Sequence, residues 1–227
     1  MAENKASHKV AAIVPAYNEE ATIGSVLKTL LKSKELDEII VVSGGSTDKT
    51  SEISKSLGVK VVDFLKRSGK GEAMREGVKM TKSDIIVFFD ADLIGLKTEH
   101  VSQLIAPILE NKADMVVGIR DRLGETPEFI LKIDPVLAFG GERAMKRYVF
   151  EKVPLRFSQG FAIETALNYY CHANKIPVVF TKLKGLDMII KERKFGFVRG
   201  FYERIKMQFE MIKTRLLILF NKKEFKK

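Results

Sequence analysis

Short apolar runs alternate with amphipathic stretches along the first half of the chain. KVAAIVP (9–15), DEIIVVS (37–43), VKVVDFL (59–65), SDIIVFFD (83–90) and ADMVVGI (113–119) are apolar without strict alternation, the pattern of strands buried on both faces. Between them, EEATIGSVLKTLLKS (19–33) sets Ile23, Val26, Leu27 and Leu30 on one helical face. STDKTSEISKSLG (46–58) and GKGEAMREGVKMT (69–81) predict two further helices, and TEHVSQLIAPILENK (98–112) a fourth that tolerates Pro107. Buried strands separated by helices predict a doubly wound, mostly parallel α/β sheet with helices on both faces. Ligands of such sheets sit outside the carboxyl ends of the strands. The candidate site therefore consists of Pro15-Ala16-Tyr17-Asn18-Glu19, Ser43-Gly44-Gly45-Ser46, Lys66 to Gly71, Asp90-Ala91-Asp92 and Gly118 to Arg122.

After residue 122 the rhythm breaks. Residues 127–152 read as mostly helical, interrupted by Pro135 and a Gly140-Gly141 turn. FSQGFAIETALNYYCHANK (157–175) predicts a short strand or loop leading into a helix, IPVVFTKLKGLDMII (176–190) a strand or two, and 197–220 a long terminal helix. No internal repeat or linker separates a second domain. The expected organisation is one domain over 1–227, with a regularly alternating half at 9–122, a second half at 123–195 and a C-terminal helix with a basic tail at 196–227.

Composition narrows the partners. A net charge of +10 favours an anionic one: nucleic acid, an anionic membrane or a phosphorylated small molecule. The chain has no aromatic-plus-basic RNA-binding signature, which argues against nucleic acid. One cysteine, Cys171, excludes an intramolecular disulfide and fits a reducing, cytoplasmic setting. The polar start MAENKASHKV has no signal-peptide core, and no apolar run approaches the roughly 20 residues that span a bilayer. In the terminal helix, Phe201, Ile205, Phe209, Ile212, Leu216 and Leu219 recur at helical spacing among lysines and arginines. That stripe packs on the core or on a second subunit in a homodimer. Alternatively it lies on an anionic membrane at the cytoplasmic face, with KKEFKK on the headgroups.

The chemistry gathers at the fourth strand. Asp90 and Asp92 are two apart, which on a strand is the same face and about 6.6 Å of separation. Both grip one ion only if the chain turns; otherwise Asp92 is the direct ligand, and Asp90 acts through water or on a ribose hydroxyl. Mg²⁺ and Mn²⁺ take few carboxylates and complete their shells with phosphate oxygens. A plain loop-capping role accounts for an isolated Asp-x-Asp equally well. Gly44-Gly45-Ser46-Thr47 offers backbone N–H groups to an anion at a helix start, or simply caps the helix. The chain lacks the strand-linked G-x-G-x-x-G of dinucleotide binders and the full P-loop pattern, which weakens dehydrogenase and NTPase readings.

Together, IVPAYNEEATIGSVL (13–27), VVSGGSTDKT (41–50), GKGEAMREG (69–77) and FFDADL (88–93), in this order, resemble family 2-type nucleotide-sugar glycosyltransferases of the GT-A fold. GKGEAM, FGGERAMKR (139–147) and GFAIETALN (160–168) look like the members that are glucosyl-3-phosphoglycerate synthases and their polyprenyl-phosphate-directed relatives. The resemblance implies transfer of a sugar from a nucleoside-diphosphate sugar, UDP favoured, to a hydroxyl or phosphate acceptor, either phosphoglycerate-like or a lipid phosphate. It places Pro15, Ala16, Asn18 and Glu19 in the nucleoside pocket, Glu19 on the ribose, Ser43 near the base, and Lys70 near the base or diphosphate. Asp90, Ala91 and Asp92 would hold the nucleoside diphosphate and its Mg²⁺ or Mn²⁺.

The remaining assignments depart from the family pattern or extend it. Ser43-Gly44 stands where many relatives carry acidic residues, so base recognition differs. A late histidine often serves as third metal ligand. Of His8, His100 and His172, the first lies in a polar tail and the last reads as a packed helical residue, so Asp187 is the candidate replacement. Glu164, an acid at an apolar helix start, is the candidate general base of an inverting reaction, or it positions sugar or acceptor in a retaining one. Gly140-Gly141-Glu142-Arg143 forms a candidate acceptor-phosphate cradle, with Gly141 and Arg143 as binders and Arg120 and Arg122 as contributors. Two rivals stand: a sugar-1-phosphate nucleotidyltransferase, which expects a basic glycine-rich loop after the first strand, and a non-catalytic nucleotide-sugar-binding or membrane scaffold.

Overall fold

The computed structural model describes residues 8–120, 141–157, 162–188, 213–214, 216–218 and 220–226. The apolar runs form strands β1 (Val10–Ala16), β2 (Glu38–Ser43), β3 (Lys60–Asp63), β4 (Ile85–Phe88) and β6 (Met115–Arg120), with a short β5 (Leu93–Ile94) between. The amphipathic stretches form α1 (Ile23–Leu30), α2 (Thr50–Ser56), α3 (Lys70–Lys79) and α4 (Thr98–Leu109). Ile23, Val26, Leu27 and Leu30 are buried as their spacing requires. Pro107 lies within α4, one turn from an end where its carbonyl accepts the Lys112 and Ala113 amides.

Later come β7 (Arg143–Lys146), α5 (Arg147–Glu151), α6 (Ala162–Ala173), β8 (Val178–Leu183) and β9 (Asp187–Met188). The main sheet runs β3-β2-β1-β4-β7-β6-β8, and β5 and β9 form a separate antiparallel ribbon. β7 is antiparallel to both β4 and β6, whereas the other pairs are parallel. One apolar layer lies on each face. Ile13, Ile40, Phe88 and Val117 pack with α3, α5 and α6 on one side, and Val14, Val41, Val87 and Val116 with α1 and α4 on the other.

Four expectations change. Residues 143–146, read as helical, are a central strand, because β4 and β6 offer both edges to them; the rest of 127–140 lies outside the described residues. α2 begins at Thr50 and not at Ser46, because the intervening loop is tied to residues 18–20. β3 is an edge strand with Lys60 and Asp63 exposed, so it is shorter and less buried than its apolar run implied. His172 is exposed at the end of α6 and is not packed. Most of the expected terminal helix also lies outside the described residues. Within its described part, Thr214 and Ile218 are buried; beyond it, Phe225 packs its ring tilted against Phe157 and edge-on against Tyr169.

Candidate active site

The strand order reverses between β1 and β4, and their carboxyl ends open the crevice that such a switch point creates. β1 ends at Pro15-Ala16, paired with Val42 and Ser43 of β2. Asn18 follows in a left-handed turn with φ of 54°. Its amide donates to Ser46 Oγ at 3.1 Å, its side-chain oxygen accepts the Thr47 amide at 2.8 Å, and Ser43 Oγ donates to Ser46 Oγ at 3.0 Å. Glu19 and Glu20 continue the lacing: the Glu19 amide donates to Thr50 Oγ1 at 2.8 Å, and Glu20 accepts the Lys49 amide at 3.0 Å. Pro15, Ala16, Asn18, Glu19 and Ser43 thus form one wall. Ser46 and Thr47 are consumed in building it and do not cap α2.

Lys70 opens α3, with Gly69 extended before it, and its ammonium reaches across the crevice. It lies 2.6 Å from Asp90 Oδ1 and 2.7 Å from Oε1 of Glu164, which sits in the first turn of α6. Arg120, at the end of β6, places Nη2 3.6 Å from the other Asp90 oxygen and Nε 3.0 Å from Glu142 Oε2. Because β7 runs antiparallel, its start joins the parallel strand ends at this edge, with Arg143 between Phe88 and Val117. Arg143 is fully buried. It contacts the Glu164 carboxylate at 3.7 Å and donates to the Glu164 carbonyl and to Asn168 Oδ1, both at 3.4 Å. The result is an alternating chain of charges, Glu142–Arg120–Asp90–Lys70–Glu164–Arg143, closed by the peptide bond joining its two ends.

These neighbours set the ionisation. Burial would raise the Asp90 carboxyl, but Lys70 and Arg120 hold it below its ordinary range. Burial acts to lower the Lys70 ammonium, and Asp90 with Glu164 overcomes that and raises it. Glu142 is fully buried, and burial pushes its carboxyl up to about 7 against the pull of Arg120. The thiol of Cys171, buried beside Met115, is pushed up to about 12 by burial and is no nucleophile.

Gly141 lies against Asp90. A Cβ there would fall 2.2 Å from Asp90 Oδ2, so only glycine lets the loop into β7 pass the carboxylate. Ala91 is buried and Asp92 partly exposed where the chain leaves β4. Asp187 stands opposite Ile94 in the β5–β9 ribbon, and its Oδ1 accepts the Met188 amide at 2.8 Å. Among the described residues no three acidic, histidine or cysteine side chains gather as a metal cluster. His100 is buried and bonded to the Lys184 carbonyl at 3.1 Å, a structural role. Arg122 and Gly140 lie outside the described residues.

The geometry thus brings together Lys70, Asp90, Glu164, Gly141 and Arg143, with the wall of Pro15, Ala16, Asn18, Glu19 and Ser43 alongside. Sequence reasoning assigned no separate role to Glu142 and did not foresee that Lys70 pairs with Glu164. An acid wedged between a glycine pair and an arginine was the available signal for Glu142.

The mostly parallel sheet, with its antiparallel β7 and a charged crevice at the switch point, is a GT-A-like α/β fold. The chain belongs to glycosyl transferase family 2, whose model matches residues 11–169. It is 32% identical over 195 residues to glucosyl-3-phosphoglycerate synthase of Mycolicibacterium smegmatis, covering 72% of this chain and 64% of that enzyme. The 4,4'-diaponeurosporenoate glycosyltransferase of Staphylococcus aureus is 37% identical over 98 residues, 41% of this chain and 26% of that protein. The chain thus spans less than two-thirds of the length of these curated relatives. The crystal structure of glucosyl-3-phosphoglycerate synthase from Mycobacterium tuberculosis with Mn²⁺, UDP and glucosyl-3-phosphoglycerate superposes with a TM-score of 0.77 at 27% identity, covering 93% of this chain and 80% of that one.

Proposed function

We propose that the protein transfers a sugar from a UDP-sugar to a small phosphorylated acceptor of the phosphoglycerate type, with Mg²⁺ or Mn²⁺. The observation that carries this is Lys70 bridging Asp90 of the Asp-Ala-Asp turn to Glu164 across the switch point. The related enzyme of Mycobacterium tuberculosis has been crystallised with Mn²⁺, UDP-glucose and phosphoglyceric acid. Carboxylate oxygens at the crevice are the donors these hard cations prefer. Both Asp90 oxygens face cations of the protein, so Asp92 is the direct ligand, with Asp187 on the adjoining ribbon as a candidate second. When bound, the metal would neutralise charge on the departing diphosphate.

The chain's own groups do the remaining work. Pro15, Ala16, Asn18 and Glu19 hold the nucleoside, with Ser43 at the base end. Lys70 adds positive charge beside the diphosphate, where a preorganised cation acts most strongly. Glu164, fixed by Lys70 and Arg143, orients a hydroxyl of sugar or acceptor. Gly141 and Arg143 shape the acceptor side; since Arg143 is buried, it acts through Glu164. A thermal-shift titration tests the reading. UDP with Mn²⁺ raises the melting temperature by several degrees, and Asp92→Asn loses most of that gain. Failure of every nucleoside diphosphate to bind with either metal refutes the proposal and leaves only the membrane-scaffold alternative.

A peripheral contact adds to this reading. Leu216, Leu217 and Phe220 are exposed beside Lys213, Lys222 and Lys223, while no helix among the described residues is long and apolar enough to cross a membrane. An apolar tip framed by lysines suits the surface of an anionic bilayer. Flotation with phosphatidylglycerol vesicles is expected to recover the protein, and Phe220→Asp to lose it. If Phe220→Asp instead converts a dimer to a monomer, the tip is a subunit interface.

A further inference from the structure

Arg120 shares its guanidinium between two carboxylates, one on the Asp-Ala-Asp turn and one with no part in the roles assigned above. The second, Glu142, has no exposed surface and takes Arg120 Nε at 3.0 Å. Apart from that ion pair, neither of its oxygens accepts a hydrogen bond among the described residues. Its backbone is fixed, since its carbonyl accepts the Gly118 amide at 2.8 Å and Gly141 before it is wedged against Asp90. A fully buried carboxylate without hydrogen bonds is destabilising unless a nearby charge offsets it. Arg120 is that charge, so Glu142, when ionised, in turn offsets part of the positive field Arg120 would otherwise present to the crevice.

We propose that Glu142 is a built-in counter-ion for Arg120, against which an incoming anion competes, so that this residue sets how tightly and how selectively the crevice takes phosphorylated ligands. The inference deepens the transferase reading and rests on it for taking the crevice as the seat of an anionic substrate.

Two features make the arrangement competitive and not merely structural. Glu142 is anchored by its backbone, whereas Arg120 is a long side chain at the end of β6, with Nη2 3.6 Å from Asp90 and Nη1 donating, among the described residues, only to the weak acceptor Met188 Sδ. The movable partner is therefore the cation. A phosphate dianion attracts a guanidinium more strongly than a single carboxylate does and accepts two parallel N–H bonds from it. A ligand with one negative charge gains little over Glu142; a dianion gains more. The counter-ion thus favours phosphorylated over merely carboxylated ligands and lowers affinity for both.

Calorimetry with inorganic phosphate as the probe, on the full chain without metal and at about pH 8.5, above the value of about 7 to which burial pushes the Glu142 carboxyl, tests this. Glu142→Gln keeps the shape and removes the charge, and is expected to bind phosphate at least tenfold more tightly than wild type. Adding Arg120→Gln abolishes the gain. Equal or weaker binding by Glu142→Gln, or a gain that survives Arg120→Gln, overturns the proposal. Should Glu142→Gln fail to fold, Glu142→Asp decides, because it keeps the charge but draws it back from Arg120. Tighter phosphate binding by Glu142→Asp supports the proposal, and unchanged or weaker binding overturns it. Wild-type binding of UDP with Mn²⁺, measured alongside, reports separately: its absence refutes the transferase reading, while the phosphate affinities still decide the role of Glu142.

Discussion

Lys70→Met melts about 6–12 °C below wild type and, in the proposed sugar transfer, retains less than a hundredth of the wild-type rate. Lys70 is the shared cation of Asp90 and Glu164, and all three side chains are less than a fifth exposed. Removing one partner of a buried ion pair costs about 3–5 kcal/mol, and the residual exposure here puts the loss near ~3 kcal/mol. For a chain of this size each kcal/mol moves the midpoint by about 2–4 °C. The pH dependence follows from the shifts. Asp90 is held below its ordinary pKa, so the stabilisation it draws from Lys70 is present above about pH 4 and fades as the carboxyl protonates in acid. Lys70 is raised, so its share persists up to about pH 10 and is lost only beyond. The melting gap between variant and wild type is therefore widest at neutral pH and narrows below about pH 4. A gap independent of pH shows that the ion pairs do not carry the effect. The loss of rate has a separate origin, since a missing preorganised cation typically lowers turnover by about 10²–10³.

Gly141→Ala has a comparable effect by a different route. Its Cβ would fall 2.2 Å from Asp90 Oδ2 and 2.7 Å from Asp90 Cγ. Asp90 cannot swing aside freely, because Lys70 and Arg120 hold both of its oxygens. Either the loop into β7 retreats or the Asp-Ala-Asp turn moves, and overpacking of this kind costs about 1–3 kcal/mol. A shift of about 1 Å at a reacting centre is enough to lower kcat by around a hundredfold. A double-mutant cycle identifies the cause: in an Asp90→Ala background the clash is gone, so Gly141→Ala has almost no effect on stability. Additive losses in the cycle rule out the contact as the reason for the glycine.

The parts of the molecule that were legible in the sequence are those set by local pattern. β1, β2, β4 and β6 announce themselves as apolar runs, and the helices between them as stripes, because burial on a sheet is written into neighbouring residues. Pro15-Ala16, Ser43, Lys70 and Asp90 could be placed at the crevice once strand ends were known. β7 could not, since Arg-Ala-Met-Lys contains good helix formers and is a strand only because β4 and β6 enclose it. The late start of α2 has a similar origin: Ser46 and Thr47 are suited to capping, but Asn18, 28 and 29 residues earlier, takes both. The pairing of Lys70 with Glu164 spans 94 residues and leaves no periodic trace. Glu142 was hidden for another reason, because an acid with no exposure reads from sequence as a solvated charge.

The reversed strand has one further consequence. Among the described residues, β3-β2-β1-β4 and β6-β8 meet only through β7, whose partners lie 26 to 61 residues away in the chain. Until that keystone docks, the sheet is two unjoined ribbons, each with a bare inner edge. The segment that sutures them also delivers Gly141, Glu142 and Arg143 to the mouth of the cleft, so joining the two ribbons and setting these three residues in place are one and the same step.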